Sequence, residues 1–375
     1  MSDSINIRQW IIYRVTILLA LTLLAGCQQS QEDTALESSL GKSLGAKVEP
    51  GRTLSFPQDH GAHNDYGIEW WYLTANLKDR QGRDHGVQWT LFRFRGEQDT
   101  ADNPWWQGQW YMGHLAWSPP QQVGEHRAWE RWGRGGVGAE QQAGVLAQPF
   151  SAWIDDWQLQ SREAPFLPLN LVAGEDDFRM ALVLGDSPQV RHGKDGYSQK
   201  SADGNLASFY YSYPMLKVSG HLKGPDGWFE VSGEGWLDRE WSSQFLDKRY
   251  QGWDWLSAHL DGGDALMLFC MRPSEGQDPK LRHCEGSLIA PDGSLQALKP
   301  EQIQWRATRW SSLDSGRFPV AFELGLPDRD WQMTVETLSE DQRNQLAFPY
   351  WEGPVRLSGS RAGIGFIEMT GYENR

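Results

Sequence analysis

The sequence has few cysteines, little positive charge and no apolar run long enough to cross a bilayer as a helix. Its 375 residues include three cysteines, too few for a disulfide-built scaffold. Lys and Arg number 35 and Asp and Glu number 49, so the net charge is −14. This excess of acid argues against a nucleic-acid partner held through its phosphates. The apolar stretch at residues 15–25 is shorter than the ~20 residues that a transmembrane helix needs.

Aromatic and turn-forming residues are plentiful instead. The chain carries 21 tryptophans, and indole rings suit sheet surfaces and the walls of ligand cavities. Residues 216–223 and 228–236 alternate polar and apolar side chains on either side of a Pro-Asp-Gly turn, which predicts a β-hairpin. The continuous apolar run at 265–271 is short enough for a buried strand. Helical periodicity is scarce, so the body is predicted to be all-β.

Residues 1–26 have the features of a secretory leader. Arg8 and Arg14 precede the apolar stretch, which ends in Leu-Ala-Gly before Cys27. This ending resembles the lipobox of bacterial lipoproteins, which implies a signal peptide cleaved before Cys27 and a membrane anchor through acyl chains on that cysteine. Residues 27–50 would then be a lipidated tether, and the glutamine after the cysteine favours the outer membrane, facing the periplasm. The alternative is a leader followed by an ordinary buried cysteine.

Cys270 and Cys284 remain, in what would be an oxidising compartment. They flank a polar segment with two prolines and a glycine. A disulfide that closes this loop and a pair of inert thiols are both open. The spacing to His283 supplies no second pair of ligands, so no metal is predicted.

Two eight-residue segments match each other. Residues 70–77 (WWYLTANL) and 253–260 (WDWLSAHL) are identical at four positions, and each is followed by a polar turn and an apolar strand. We interpret this match as a duplication of an antiparallel β module that opens on a Trp-rich strand. The two segments begin at residues 70 and 253, and a module of the length between them suits a barrel or a sandwich.

Six short segments stand out between residues 56 and 372. They are HGAH at 60–63, EWWYLTANL at 69–77, YYSYP at 210–214, GWLDREW at 235–241, GWDW at 252–255 and EMTGY at 368–372. They resemble the signature of the family that contains carotenoid 1,2-hydratase and the AttH-type proteins. The resemblance implies two tandem lipocalin-like (calycin) antiparallel β-barrels, with domains at 51–240 and 241–375. The family includes hydratases of carotenoid ends, cyclases of polyenes, and exported lipoproteins described beside ABC-type exporters, so it implies fold better than function.

Asp254 is the first candidate for chemistry. In the repeat it stands where the first copy has Trp71, on the strand face that also carries Leu256 and Ala258. Desolvation on this apolar face would keep its carboxyl protonated, as an acid that protonates a C=C bond must be. In the hydratase branch of the family the matching motif is linked to catalysis. The alternative is a buried Asp that pairs with an Arg or with backbone amides.

Asp238 is the second candidate. The hydratases carry an Asp-His-Asn-Trp-like stretch here, and Asp238 and Trp241 match it. Arg239 stands where they have His, and Glu240 where they have Asn; an Arg does not shuttle protons at neutral pH. Arg239 would instead clamp a ligand carboxylate or carbonyl, or form an ion pair with Asp or Glu at the barrel mouth.

His60, His63 and Glu69 form a third cluster. Two His three residues apart beside a carboxylate are compatible with a metal, but they lie in a Gly-rich loop and not on a helix. Hydrogen bonds across the barrel entrance or the inter-domain seam are the favoured interpretation. The candidate ligand contacts are these three residues and Arg239, Trp241, Trp253, Trp255, Trp71 and Tyr211.

Three functions fit this sequence. The favoured one is a lipid-anchored protein of the bacterial cell envelope that binds a hydrophobic or amphiphilic small molecule in a Trp-rich barrel or inter-barrel pocket. The first alternative is a hydratase, isomerase or cyclase that acts on a polyene or terpenoid by general acid catalysis. The second is an accessory lipoprotein of an ABC-type envelope transporter. No cofactor and no nucleic acid are predicted in any of the three.

Overall fold

The computed structural model describes residues 45–373 except 97–107, 137–141, 164 and 245. The predicted signal peptide, Cys27 and most of the predicted tether lie outside these residues and stay predictions. Within the described part, no helix is both long enough and apolar enough to cross a membrane. The helices in this part of the chain are four short 3-10 turns, at Gln58–His60, Pro279–Leu281, Pro300–Gln302 and Pro327–Arg329.

The first sheet is antiparallel and has thirteen strands. Its main path runs β4-β3-β2-β1-β13-β12-β9-β8-β7-β6-β5, with β10 and β11 paired to β12. A bridge between Gly135 and Ala143 joins the two ends of the curled path. The strands are β1 (Ile68–Asp79), β2 (Asp84–Arg95), β3 (Gln109–Ser118), β4 (Arg127–Arg134), β5 (Ala143–Ala147), β6 (Phe150–Ile154), β7 (Trp157–Ser161), β8 (Leu169–Glu175), β9 (Phe178–Leu184), β10 (Val190–Arg191), β11 (Tyr197–Gln199), β12 (Ala207–Gly224) and β13 (Gly227–Ser242).

The second sheet is antiparallel and has ten strands. Its path runs β17-β16-β15-β14-β23-β22-β20-β19-β18, with β21 paired to β22. The strands are β14 (Tyr250–Leu260), β15 (Ala265–Pro273), β16 (His283–Ile289), β17 (Leu295–Leu298), β18 (Gln304–Leu313), β19 (Gly316–Leu326), β20 (Trp331–Thr337), β21 (Arg343–Asn344), β22 (Tyr350–Gly359) and β23 (Gly363–Met369).

The two sheets share one topology. In each, the Trp-rich strand of the repeat (β1 or β14) lies between the next strand in sequence and the last strand of its sheet. The predicted hairpin is β12 and β13, and Gly227 takes a positive φ of 107° at its turn, where a side chain would be strained. The predicted all-β fold of two tandem lipocalin-like barrels is confirmed. The domain limits stay predictions; the chain passes from the first sheet to the second between Ser242 and Tyr250.

Strand alternation gives each sheet two different faces. On β1, Trp71 and Leu73 point into the core of the first barrel, and on β14, Leu256 and Ala258 point into the core of the second. The opposite faces of both sheets meet in a third apolar cluster, which we call the seam. Its members from the two sheets include Tyr72, Tyr210, Trp236, Trp255, Phe269 and Phe366.

Cys270 and Cys284 lie opposite each other on β15 and β16. They are joined by a disulfide at the apolar side of the second barrel. The sequence left open a disulfide or two free thiols at these positions, and the structure shows the disulfide.

Candidate active site

A pocket opens in the seam, between the two sheets. The volume of the cavity is about 110 Å³, or about 970 Å³ when the empty space at its open mouth is included. The pocket is therefore narrow, and its walls are mostly aromatic and apolar. The residues that line it include Trp70, Tyr72, Phe92, Trp253, Trp255, Phe269, Met271, Phe348 and Tyr350, with the polar Lys200, Asp238, Glu240 and Glu368 among them.

Asp238 is the most deeply buried acid of this pocket wall. It lies on β13 with 2% of its surface exposed. Its Oδ2 accepts a hydrogen bond of 2.7 Å from the Tyr210 hydroxyl, and its Oδ1 accepts from Ser212 and, at 2.6 Å, from the Trp236 indole. Burial raises the pKa of Asp238 to about 7 in spite of these donors, and nearby Glu240 adds to the rise. At neutral pH a carboxyl with this pKa is present in both its protonated and its ionised form.

Glu368 comes from the second sheet and faces the same pocket. It is half-buried, on β23, and accepts a hydrogen bond of 2.6 Å from the indole of Trp253. Burial, with the charges of Asp238 and Glu240, raises the pKa of Glu368 to about 7. Two carboxyls from different sheets, each with a pKa raised to about 7, therefore line one pocket.

A third acid lies behind the pocket wall. Glu352 on β22 is 1% exposed and accepts a hydrogen bond of 2.5 Å from the hydroxyl of Tyr72. Burial, followed by the charge of Glu368, raises the pKa of Glu352 well above its usual range. It therefore holds its proton and fixes the Tyr72 ring, which lines the pocket.

The pocket also holds one lysine. Lys200 pairs with Glu240 at 2.9 Å. Its ammonium lies 4.1 Å from the ring centre of Phe269 and 4.5 Å from that of Tyr210. Lys200 therefore places a positive charge beside Glu240 in the wall of the pocket.

Asp254 lies elsewhere, inside the second barrel. It is 3% exposed and pairs with Arg272 at 3.0 Å. The indole of Trp305 and the hydroxyl of Tyr372 each donate to it at 3.0 Å. This is the pairing with Arg that the sequence left as the alternative, and Asp254 is not among the residues that line the seam pocket. Its catalytic role stays a prediction.

The His and Arg candidates gather at one end of the first barrel, around Glu69. Glu69 is fully buried; it accepts from Arg239 at 2.7 Å, from Arg93, and from the His63 ring at 3.0 Å. Burial alone would raise the pKa of Glu69, but Arg93 and Arg239 hold it well below its usual range. Arg239 thus forms the ion pair that was one of its two predicted roles, and its guanidinium lies 3.7 Å from the ring centre of Trp71.

The remaining candidates pack around this cluster. His63 stacks on Trp241 at 3.9 Å, and His60 shares a hydrogen bond of 2.7 Å with the Tyr211 hydroxyl. Burial lowers the pKa of His60 to about 3, so its ring is neutral. In the part of the chain that the structure describes, no group of three or more His, Cys, Asp or Glu side chains is arranged to hold a metal.

The structure therefore separates candidates that the sequence grouped by motif. Of the predicted residues, Asp238, Trp253 and Trp255 line the seam pocket, whereas Asp254 and Arg239 lie inside the barrels. Sequence reasoning missed the other pocket residues of chemical interest, Glu240, Glu368, Lys200, Tyr350 and Trp70, as ligand contacts or acids. A signal for Glu368 was available, because it stands between two apolar residues on a strand and so points away from the barrel core.

Comparison with known proteins gives one family and one fold. A family model described as AttH-like matches residues 47–372. A crystal structure of a protein from Nitrosomonas europaea, described as an AttH, is 31% identical, with a TM-score of 0.78, and the match covers 88% of this chain and 100% of that one. Kievitone hydratase from Nectria haematococca has a TM-score of 0.60 at 13% identity, with 87% of this chain and 97% of that one covered. No curated protein matches the chain.

Proposed function

The chain belongs to the AttH-like family, and from that premise we propose that its seam pocket is the active site of an enzyme that acts by general acid catalysis on an apolar, unsaturated substrate. The reaction would be a hydration, an isomerisation or a cyclisation of a polyene or terpenoid. One observation carries the proposal: Asp238, a carboxyl whose pKa is raised to about 7, lies in the wall of an aromatic pocket.

The proposed chemistry begins with a proton from Asp238. The π electrons of a substrate C=C bond take this proton, and a carbocation forms on the neighbouring carbon. Trp70 and Trp255 line the pocket, and their aromatic rings would stabilise that cation. Glu368, once ionised, then accepts a proton from the water that attacks the cation, or from an adjacent carbon when a new double bond forms. The first outcome is a hydration and the second an isomerisation or cyclisation.

Fold likeness is weaker support for the reaction. Kievitone hydratase is named for a hydration, but at 13% identity the likeness shows the fold alone. Arg239 also stands where the hydratases that the sequence resembles carry His, and it is bound into the Glu69 cluster. The proposal therefore assigns the proton transfers to Asp238 and Glu368 and not to Arg239.

Binding without turnover is the second candidate function, because the pocket is lined mainly by apolar and aromatic side chains. In that case the protein would carry a hydrophobic or amphiphilic small molecule. We propose for either function the same setting that the sequence predicts, a protein anchored through Cys27 in the bacterial envelope and facing the periplasm. An accessory role beside an ABC-type transporter stays a prediction.

Incorporation of deuterium separates the two functions. The protein is incubated in D₂O with lycopene or farnesol, and recovered lipid is analysed by mass spectrometry. An acid that protonates carbon leaves carbon-bound deuterium in the product, whichever of the three reactions follows. We expect carbon-bound deuterium in the product of the wild type and none with Asp238→Asn. The added lipid should quench the tryptophan fluorescence of both proteins, because both should bind it.

The control variant is Ser242→Ala, which changes the same pocket wall without removing an acid. Binding by the wild type with no deuterium on carbon would leave the binding function and remove the enzymatic one. Equal incorporation by wild type and Asp238→Asn would show that Asp238 is not the acid.

A further inference from the structure

We propose that three side chains, Ser212, His192 and Ser287, form a proton route between Asp238 and a second pocket on the far side of the seam. This inference rests on the proposed function, because the route would return to Asp238 the proton that it gives to a substrate. It would operate while the substrate itself fills the seam pocket and excludes water from the front of the carboxyl.

The route is continuous in hydrogen bonds. Ser212 on β12 donates to Oδ1 of Asp238. The Nε2 atom of His192 lies 2.7 Å from the Ser212 hydroxyl, and the Nδ1 atom lies 2.9 Å from the hydroxyl of Ser287 on β16. Each of the four residues is at most 2% exposed, so water has little access to the links between them. The route therefore crosses from the first sheet to the second.

The far end of the route lies in the wall of a second pocket. His192 and Ser287 both line a second pocket, which has about 200 Å³ of space for water-sized molecules. Its rim includes Lys194 and Lys299, which are exposed. Water in this pocket can exchange protons with the Ser287 hydroxyl without passing through the seam pocket.

His192 is held in the orientation that the route needs. Its backbone N–H donates to the carbonyl of Tyr210 at 3.1 Å, and its ring lies 4.2 Å from the Tyr210 ring. Gly193 follows with a φ of +64°, and a Cβ there would come within 2.1 Å of the Tyr197 carbonyl oxygen. A glycine is therefore required in the turn that fixes the imidazole.

The chemistry of the links permits transfer. Burial, with the charge of Lys200, lowers the pKa of His192 to about 3, so the ring is neutral and has one N–H and one bare nitrogen. A neutral imidazole can accept a proton on one nitrogen as it releases another from the second. Its two partners, Ser212 and Ser287, are hydroxyls that both donate and accept.

The proton balance is as follows. When Asp238 is ionised, the Ser212 proton moves to its carboxylate and the His192 Nε2 proton moves to Ser212. The Ser287 proton moves to Nδ1, and hydronium in the second pocket restores Ser287 and leaves as water. The sum is one solvent proton transferred to Asp238. The ring ends as its other tautomer. The first tautomer returns when a proton leaves Asp238 along the route in the ligand-free protein, and Asp238 then takes a proton from water that enters the open seam pocket.

Hydrogen–deuterium exchange of the Asp238 carboxyl tests the route. Rapid-mixing infrared spectroscopy follows the C=O band of protonated Asp238, which is assigned by its loss in Asp238→Asn, after transfer into D₂O at mildly acidic pH. The seam pocket is filled with β-ionone, an apolar ketone used here as the probe. Since a positioned proton-transfer group contributes about 10²-fold or more to such steps, we expect Ser287→Ala to slow the exchange by at least about tenfold.

Two variants make this result specific. Ser287→Thr keeps the hydroxyl and should exchange at the wild-type rate, which a loss of packing alone would not explain. Ser198→Ala removes another buried hydroxyl from the wall of the second pocket and should change nothing. Equal exchange in the wild type and Ser287→Ala overturns the inference.

The proposed function fails in a different way. If β-ionone leaves the tryptophan fluorescence unchanged, it does not enter the pocket, and the claim that this pocket takes apolar ligands falls. The exchange rates are then compared in the ligand-free protein. Slower exchange in Ser287→Ala supports the route there as well. Equal rates overturn the claim that protons reach the 2%-exposed Asp238 faster along the route than from the seam pocket.

Discussion

Replacing Asp238 by Asn tests the state of the proposed acid without any knowledge of the substrate. Asn keeps the size of the side chain and cannot ionise. In the wild type, burial raises the pKa of Asp238 from the ordinary value of 3.8 to about 7. The folded protein therefore keeps this proton over a pH range in which the unfolded chain has lost it.

The sign and size of the effect follow from that difference. Ionising the buried carboxyl costs stability as the pH rises from about 4 to about 7, and the cost is constant above that range. Between about pH 5 and about pH 8, the loss for this one group is about 2–3 kcal/mol of unfolding free energy. In Asp238→Asn this loss is absent, so the free energy of unfolding should fall by about 2–3 kcal/mol less over the same interval.

Urea unfolding followed by tryptophan fluorescence at the two pH values measures this difference. Ser242→Ala, on the same strand and in the same pocket wall, should keep the wild-type pH dependence. If the wild type and Asp238→Asn lose equal free energy between the two pH values, the carboxyl titrates as an exposed group does. The reasoning that makes it a neutral acid would then be wrong.

Three further predictions concern other parts of the chain. Asp254→Asn should lower the free energy of unfolding by about 3 kcal/mol, because it leaves Arg272 without its buried partner. The variant should still incorporate deuterium into the substrate. Loss of turnover at unchanged stability would favour a catalytic Asp254 instead. Reducing the bond between Cys270 and Cys284, which are 14 residues apart, should cost about 3 kcal/mol, measured as a lower melting temperature, and an unchanged melting temperature contradicts this. Cys27→Ala should abolish labelling by radioactive palmitate and release the protein from the membrane fraction, and retained label would show that the anchor lies elsewhere.

The repeat at β1 and β14 made much of the fold predictable from the sequence. The alternation of side chains along these strands placed Trp71 on the same face as Leu73, and Asp254 on the same face as Leu256. In the structure each of these two faces points into the core of its barrel. Local pattern is sufficient here because a strand shows its two faces in its own residues.

The position of the pocket was not readable in the same way. Both faces of the repeat strands carry aromatic or apolar residues, so the sequence could not show which face meets the other sheet. The sequence therefore left two interpretations of Asp254, a catalytic acid and a partner of an Arg, and the structure shows it paired with Arg272 inside a barrel. Glu368 and Asp238 are 130 residues apart in the chain, and only the docking of the two sheets places them on one pocket.

The division of Asp238 and Glu368 between the two sheets has a consequence for how the proposed enzyme can change. The first sheet contributes the proposed donor, Asp238, and the second sheet contributes the proposed acceptor, Glu368. Neither barrel by itself holds both carboxyls. A hybrid that keeps the first barrel and takes the second from a relative would retain the proposed protonation step and exchange the step that quenches the cation. The choice between alcohol and olefin could then diverge independently of the ability to start the reaction.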